Sequence, residues 1–210
     1  MNLIDADALS KLAHWDLLEE LALLTGTPIA ETATLSSLVH RAARSCAKPD
    51  GKLFRDAVAA SRAHAYLSQF APLPSPAEDV LALMQHVPAI DPGEALLFAA
   101  LHARPDTLLI TGDKRAITAL ARAAPLPLLT SFANRILTIE QIVLALLEVK
   151  GIDWLREHVC PSRSLDKAIG IVMGSECRAP AESVEAGLRS YIANLRSTTG
   201  RLLCATAPFK

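Results

Sequence analysis

Short apolar runs that alternate with longer helical patterns limit how this chain can fold. "NLID" (residues 2–5) precedes a helical pattern of recurring leucines that ends near Gly26, and "DTLLITGD" (106–113) precedes another helix. In "RILTIEQIVLALLEVKG" (135–151) a strand pattern runs directly into an amphipathic helix. Such alternation is typical of parallel strands joined by right-handed helical crossovers. The sequence therefore predicts an α/β protein with a central parallel sheet covered by helices on both faces.

Two further strands are less sharply defined by the pattern. Extended backbone near Pro28 to Ala30 is expected before a helix that runs from about Leu35 to the turn at 49–51. "LPLLTS" (126–131) has the composition of a short strand. After Gly151 the alternation stops. We therefore divide the chain into a main domain at 1–148 and a helical C-terminal extension at 149–210.

Composition favours a helix-rich protein with one well-buried core. Hydrophobic residues make up 51% of the chain but aromatic residues only 4%, which argues against a β-sandwich. The net charge of -1 gives no general attraction to nucleic acid or membranes, so a polyanion would need a local basic patch or bound metal ions. The chain starts without a basic, apolar leader and contains no long uncharged apolar run. A cytoplasmic protein without membrane contact is the prediction.

The cysteines suggest neither a zinc site nor a redox motif. Cys46, Cys160, Cys177 and Cys204 are widely spaced, with no C-x-x-C pair and no histidines at zinc-ligand spacing. Free cysteines are often simply buried, so four reduced, structural thiols are expected.

Acidic residues stand where predicted strands end and helices begin. Asp5 and Asp113 each end a strand pattern, while Asp91 and Glu94 open the apolar helix "PGEALLFAALHA". Taken singly, each acid fits a helix cap, and Asp91 with Glu94 fits a capping box. However, the carboxyl ends of parallel strands lie along one sheet edge, where ligands bind. If the strands of Asp5 and Asp113 are neighbours, the four carboxylates gather at that edge.

Four carboxylates in a small volume point to a metal ion as the alternative to capping. They repel one another and raise each other's pKa values unless a divalent cation neutralises them. On this view, removing the charge of Asp113 should stabilise the metal-free protein. Oxygen ligands without His or Cys select Mg²⁺ or Mn²⁺ over zinc. The chemistry expected from Asp5, Asp91, Glu94 and Asp113 is metal-assisted hydrolysis of a phosphodiester.

The order of "LIDADALSKLA", "DPGEALLFAA" and "LLITGDKRAI" resembles the PIN domain family over roughly residues 1–148. The resemblance implies a three-layer α/β/α sandwich and a Mg²⁺- or Mn²⁺-dependent endoribonuclease. Asp5, Asp91, Glu94 and Asp113 match its catalytic, metal-binding acids, and Thr111 matches the hydroxyl residue before the last acid. Some members are toxins of toxin–antitoxin pairs. Besides RNA, the expected partners are therefore an antitoxin or other protein, or a second copy of the chain.

The sequence departs from the family pattern at one position. Many members carry a further Glu at the start of the helix after the second strand, where this chain has Ser36 and Ser37. Glu31 lies a few residues upstream, and the sequence leaves open whether it reaches the site. A catalytically inactive PIN-like module that binds protein or RNA is the alternative function. If RNA is the substrate, Thr111, Lys114 and Arg115 are the expected contacts.

Overall fold

The structure is a computed structural model that describes residues 1–205. In this part of the chain, four strands form one parallel sheet in the order β2-β1-β3-β4. The strands are β1 (Asn2–Ile4), β2 (Thr32–Ala33), β3 (Leu108–Thr111) and β4 (Ile136–Thr138). The predicted α/β class and parallel sheet are confirmed. Because β1 pairs with β3, the strands that carry Asp5 and Asp113 are neighbours, as the metal hypothesis requires.

Helices account for most of the remaining described residues. They are α1 (Ala6–His14), α2 (Leu18–Thr25), α3 (Ser36–Ala47), α4 (Ala57–Leu67), α5 (Glu78–Met84), α6 (Pro92–Ala103), α7 (Lys114–Ala123), α8 (Leu126–Ser131), α9 (Ile139–Lys150), α10 (Ile152–Val159), α11 (Lys167–Met173) and α12 (Ala181–Thr199). Short 3-10 turns lie at Ile29–Glu31, Cys160–Leu165 and Ser175–Cys177. Within residues 1–205, no helix combines the length and the apolarity that a membrane span requires.

Both faces of the sheet are buried, each against different helices. Successive strand residues point to opposite faces, so Ile4 and Ile110 enter one core cluster while Leu3 and Leu109 enter another. The first cluster includes apolar residues of α1, α3, α4, α9 and α12, and the second those of α5, α6 and α7. Burial on both faces is typical of parallel sheets. Because both faces are covered, polar side chains can gather only where the strands end.

The C-terminal extension is helical, and it shares the core of the rest of the chain. Val184 and Leu188 of α12 belong to the same apolar cluster as Ile4, and Leu203 forms a parallel β-bridge with Ile136 of β4. The predicted boundary between 148 and 149 falls inside α9. The division into two domains stays a prediction.

Two expectations about strands were wrong, the first in the type of element and the second in position. "LPLLTS" forms helix α8, in which Pro125 is the N-cap and a second proline lies in the first turn, where a missing N–H breaks no helical bond. The extended segment expected at 28–30 is a 3-10 turn, and β2 begins two residues later at Thr32. The fourth strand of the sheet is the one predicted directly before α9.

The expectation of four reduced thiols was wrong for two of them. Cys160 and Cys177 form a disulfide, because the turns around α11 fold residues 160–177 back on themselves and bring the two Cα atoms to 6.1 Å. Cys46 and Cys204 are free. The cytoplasmic location stays a prediction, and a disulfide is unusual in that compartment.

Candidate functional site

Asp5 lies buried at the carboxyl end of β1, where it joins β1 to β3. Its Oδ1 accepts a hydrogen bond from the Ala8 backbone N–H (2.6 Å) and so caps α1. Its Oδ2 accepts from the Thr111 hydroxyl and from the Gly112 backbone N–H (3.2 Å). Burial raises the pKa of Asp5 to about 6, although these donors oppose the rise. The predicted substrate contact Thr111 is itself buried, and its hydroxyl faces Asp5.

Asp91 and Glu94 form the predicted capping box at the start of α6. Asp91 Oδ1 accepts from the Glu94 backbone N–H (2.8 Å), and Glu94 Oε2 accepts from the Asp91 backbone N–H (2.7 Å). Pro92 occupies the first helical position. The helix therefore begins here for local reasons that need no ligand.

Besides its part in the capping box, the Glu94 side chain lies near the Asp113 side chain. The two carboxyl groups lie close enough for a hydrogen bond, in which one of them must carry a proton. Burial, followed by the charges of Asp113 and Asp91, raises the pKa of Glu94 to about 7. Burial also acts to raise the pKa of Asp113. The Ala116 backbone N–H and the Arg115 side chain outweigh it and leave that pKa lowered.

Asp113 is also the predicted N-cap of α7. Its Oδ1 accepts from the backbone N–H groups of Arg115 (2.8 Å) and Ala116 (3.1 Å), and its Oδ2 pairs with the Arg115 guanidinium (3.2 Å). The predicted phosphate contact Arg115 is otherwise exposed to solvent. Repulsion between the Glu94 and Asp113 carboxylates therefore shows in the raised pKa of Glu94, because several donors stabilise the charged form of Asp113.

A chain of ion pairs occupies the same sheet edge beside these acids. Lys11 Nζ lies 2.6 Å from Asp7 and 2.7 Å from Asp166, and both Lys11 and Asp166 are buried. Lys114 pairs with the buried Glu140 and lies 3.5 Å from Asp166. Burial opposes the charges of both Lys11 and Asp166. The charges of Asp7 and Asp166 nevertheless raise the pKa of Lys11, and those of Lys11 and Lys114 lower the pKa of Asp166. Lys114, predicted to contact substrate, thus points to internal acids.

Sequence reasoning missed four members of this edge. Asp7 stands in the same "LIDADA" run as Asp5, and its carboxylate packs against Gly112 so closely that a Cβ there would overlap it. Lys11 follows Asp7 at the i,i+4 spacing of a helical ion pair, which was a usable signal. Glu140 and Asp166 reach the edge from α9 and from the N-cap of α11. No local pattern reveals such long-range contacts.

The departure at Ser36 and Ser37 is also visible in the structure. Both serines open α3 and line a cavity of about 690 Å³ together with Gly93 and Phe70. Glu31 lies at the opposite end of the sheet, in a pocket that it shares with Met1 and Arg104. It therefore supplies no carboxylate in place of a Glu at the start of α3.

The four predicted ligands are not assembled into one metal site. Among residues 1–205, no three His, Cys, Asp or Glu side chains are arranged to hold an ion. Glu94 interacts with both Asp113 and Asp91, whereas Asp5 is separately engaged with Thr111 and Gly112. The Glu94–Asp113 pair does fit a hard divalent cation in its donor chemistry, since a cation bound to both carboxylates would offset the repulsion that helps to raise the pKa of Glu94.

The chain matches no model of a known protein family, no curated protein and no solved structure. Its function is therefore inferred from the geometry and charge of this sheet edge.

Because the pKa is raised at Glu94 and lowered at Asp113, neutralising these two residues should change the stability of the protein in opposite directions. Glu94→Gln keeps the capping box and should stabilise the metal-free protein by about 1 kcal/mol at pH 8, after allowing for solvent screening. The wild type loses this stability as the pH rises from the unfolded pKa of Glu through about 7, so the gain should nearly vanish at pH 5. Asp113→Asn should instead destabilise the protein, contrary to the expectation from sequence, because the charged form of Asp113 is the favoured one.

Urea unfolding in EDTA at pH 5 and pH 8 measures both changes. A lower free energy of unfolding for Glu94→Gln at pH 8 would contradict the assignment of the repulsion to Glu94.

Proposed function

We propose that this protein is a PIN-like, Mg²⁺- or Mn²⁺-dependent endoribonuclease, built as a three-layer α/β/α sandwich, that hydrolyses RNA phosphodiester bonds at the carboxyl edge of its sheet. The observation that carries the proposal is the contact between the Glu94 and Asp113 carboxyl groups. Capping alone does not explain it. A Gln at position 94 would complete the capping box equally well, without placing a second acid against Asp113.

Glu94 and Asp113 would hold the cation, with Asp91 and Asp5 as the adjoining carboxylates. When bound, the ion would supply an activated water and neutralise charge that develops on the phosphate. The chain's own contribution is to fix these oxygens on rigid elements. Thr111 and Gly112 hold Asp5, and the first turn of α7 holds Asp113.

Arg115 is the residue best placed to bind a substrate phosphate at this site. Its side chain is 86% exposed, and its partner among residues 1–205 is Asp113. A guanidinium can bind two oxygens at once, so Arg115 can keep Asp113 charged and still donate to a phosphate beside it. Lys114 would act less directly, because Glu140 and Asp166 already hold its ammonium group.

The alternative function is a catalytically inactive PIN-like module that binds a protein or RNA. The ion-pair chain favours it, because Asp7, Asp166 and Glu140 already have Lys11 and Lys114 as cationic partners without a metal. Its binding partner would then be RNA, an antitoxin, another protein or a second copy of the chain. The location proposed for either function is the cytoplasm.

Cleavage of an end-labelled single-stranded RNA by the wild type, with Mn²⁺ or with EDTA, tests the proposal. We expect cutting with Mn²⁺ and none with EDTA. Calorimetric titration of Mn²⁺ into the metal-free protein gives an independent measurement. If the protein neither cuts RNA nor binds Mn²⁺, the inactive module is the better description.

The affinity for Mn²⁺ should depend on pH through Glu94. A cation must displace the proton from this carboxyl group, whose pKa is raised to about 7. The association constant should therefore increase about tenfold between pH 6 and pH 8, as the deprotonated fraction rises. Calorimetry at three pH values measures the increase. Glu94→Gln should remove most of this pH dependence, and an equally steep increase in that variant would contradict the role of Glu94.

A further inference from the structure

A groove runs along α7, away from the Glu94–Asp113 pair. One wall is the face of α7 that carries Lys114, Thr118 and Arg122, which are spaced four residues apart and so lie in a row. Arg115 lies beside this row, and the other wall is the turn at 87–89. The groove has a volume of about 600 Å³. It is a concave surface in direct continuity with the proposed site.

The groove is cationic, and part of its charge has no internal partner. Lys114, Arg115 and Arg122 line it without any acidic residue. Within residues 1–205, the Arg122 side chain makes no ion pair or hydrogen bond, and Arg115 pairs with Asp113 alone. Lys114 and Arg115 also lie at the N-terminal end of α7, where the helix dipole disfavours cations. Internal acids account for the positions of Lys114 and Arg115, so the charge left over for a ligand is that of Arg122 and the exposed side of Arg115.

The opposite wall, the turn at 87–89, is apolar and shortly precedes Asp91 in the chain. A hydrogen bond from the Ile90 N–H to the Val87 carbonyl (3.2 Å) closes its turn. Ala89 has a φ of 68°, in the left-handed region that a side chain normally avoids. Asp91 follows this turn directly, just as Lys114 follows Asp113 on the other wall. One wall thus ends at Asp113 of the acid pair, and the other ends at Asp91, the N-cap of the helix that carries Glu94.

We propose that this groove binds the phosphate backbone of a single RNA strand that extends from the Glu94–Asp113 pair. The identity of the polymer rests on the proposed function. Arg115 and Arg122 lie about 10 Å apart along the axis of α7 at the rise of an α-helix, which is enough for more than one phosphate. A space of this volume takes a single strand but cannot enclose a duplex. Contacts to phosphate would position the strand without reading its sequence.

The salt dependence of binding tests the groove without any cleavage. Fluorescence anisotropy with a labelled oligouridine in EDTA gives the Kd at several salt concentrations. For a single strand, the slope of log K against log salt changes by about 0.7 for each phosphate contact. Arg122→Ala should lower the slope by about this amount and weaken binding several-fold at low salt. Arg122→Lys should keep the slope, since it keeps the charge.

Arg104→Ala is the matched control, because Arg104 is exposed near Met1 at the opposite end of the sheet. The groove is overturned if Arg122→Ala and Arg104→Ala give the same slope and Kd, or if the oligouridine does not bind. A stronger effect of Arg122→Ala on a labelled RNA–DNA or DNA duplex than on the single strand would also overturn it. Metal-dependent cleavage with an unaffected slope would leave the proposed function standing without the groove. The reverse result would retain the groove and reject catalysis.

Discussion

Replacing Glu94 by Gln, or Asp113 by Asn, is expected to lower Mn²⁺-dependent RNA cleavage by about 10³-fold, the size of effect seen when one group that stabilises transition-state charge is lost. Each change removes one negative charge from the pair proposed to hold the cation, while the amide keeps the size of the side chain. Glu94→Gln is the sharper test, because it should leave the metal-free protein at least as stable as the wild type. A loss of activity in that variant cannot be ascribed to unfolding.

Asp56→Asn provides the control for the loss of an acidic helix cap. Asp56 is the N-cap of α4, where its side chain accepts from the Ala59 backbone N–H (2.8 Å), and it takes no part in the proposed site. Initial rates of cleavage at saturating Mn²⁺ should be unchanged in this variant. If Glu94→Gln cuts RNA as fast as the wild type, the acids at the sheet edge are helix caps and the catalytic proposal fails.

The sequence predicted best those features that depend on local chemistry. Strand–helix alternation predicted the parallel sheet, and acids before helices predicted the caps made by Asp5, Asp91 and Asp113. The adjacency of β1 and β3 was a conditional expectation that the strand order satisfied. In a parallel sheet the carboxyl ends of all strands lie along one edge. Once the strands are predicted correctly, the residues that follow them are therefore expected at that edge.

Long-range contacts set the limit of that prediction. Asp166 lies 155 residues from Lys11 in the chain and meets it only because α11 folds back onto the sheet edge. The Cys160–Cys177 disulfide likewise depends on how the turns around α11 bring two segments together. The sequence also did not indicate which of the two facing acids has the raised pKa. Both Glu94 and Asp113 are acids, but the donors around Asp113 decide which of them keeps a proton.

The ion-pair chain is expected to contribute strongly to the stability of the protein. Lys11→Met should lower the free energy of unfolding by about 3 kcal/mol, because breaking a buried ion pair leaves an uncompensated charge. Asp166 would keep its two cap hydrogen bonds and Lys114 at 3.5 Å, but it would lose its partner at 2.7 Å. Methionine matches the length of lysine closely enough that little packing is lost. The charge itself is therefore what the substitution tests.

Arg189→Ala is the control, since Arg189 forms surface pairs with Glu185, four residues away in α12, and with Glu148. Exposed pairs of this kind contribute less than about 1 kcal/mol. A double-mutant cycle of Lys11→Met with Asp166→Asn, followed by urea unfolding at pH 7, isolates the coupling between the two residues. A strong coupling means that the C-terminal extension is held to the sheet edge through Asp166. A cost below 1 kcal/mol for Lys11→Met would instead mean that the apolar contacts of α12 hold the extension in place.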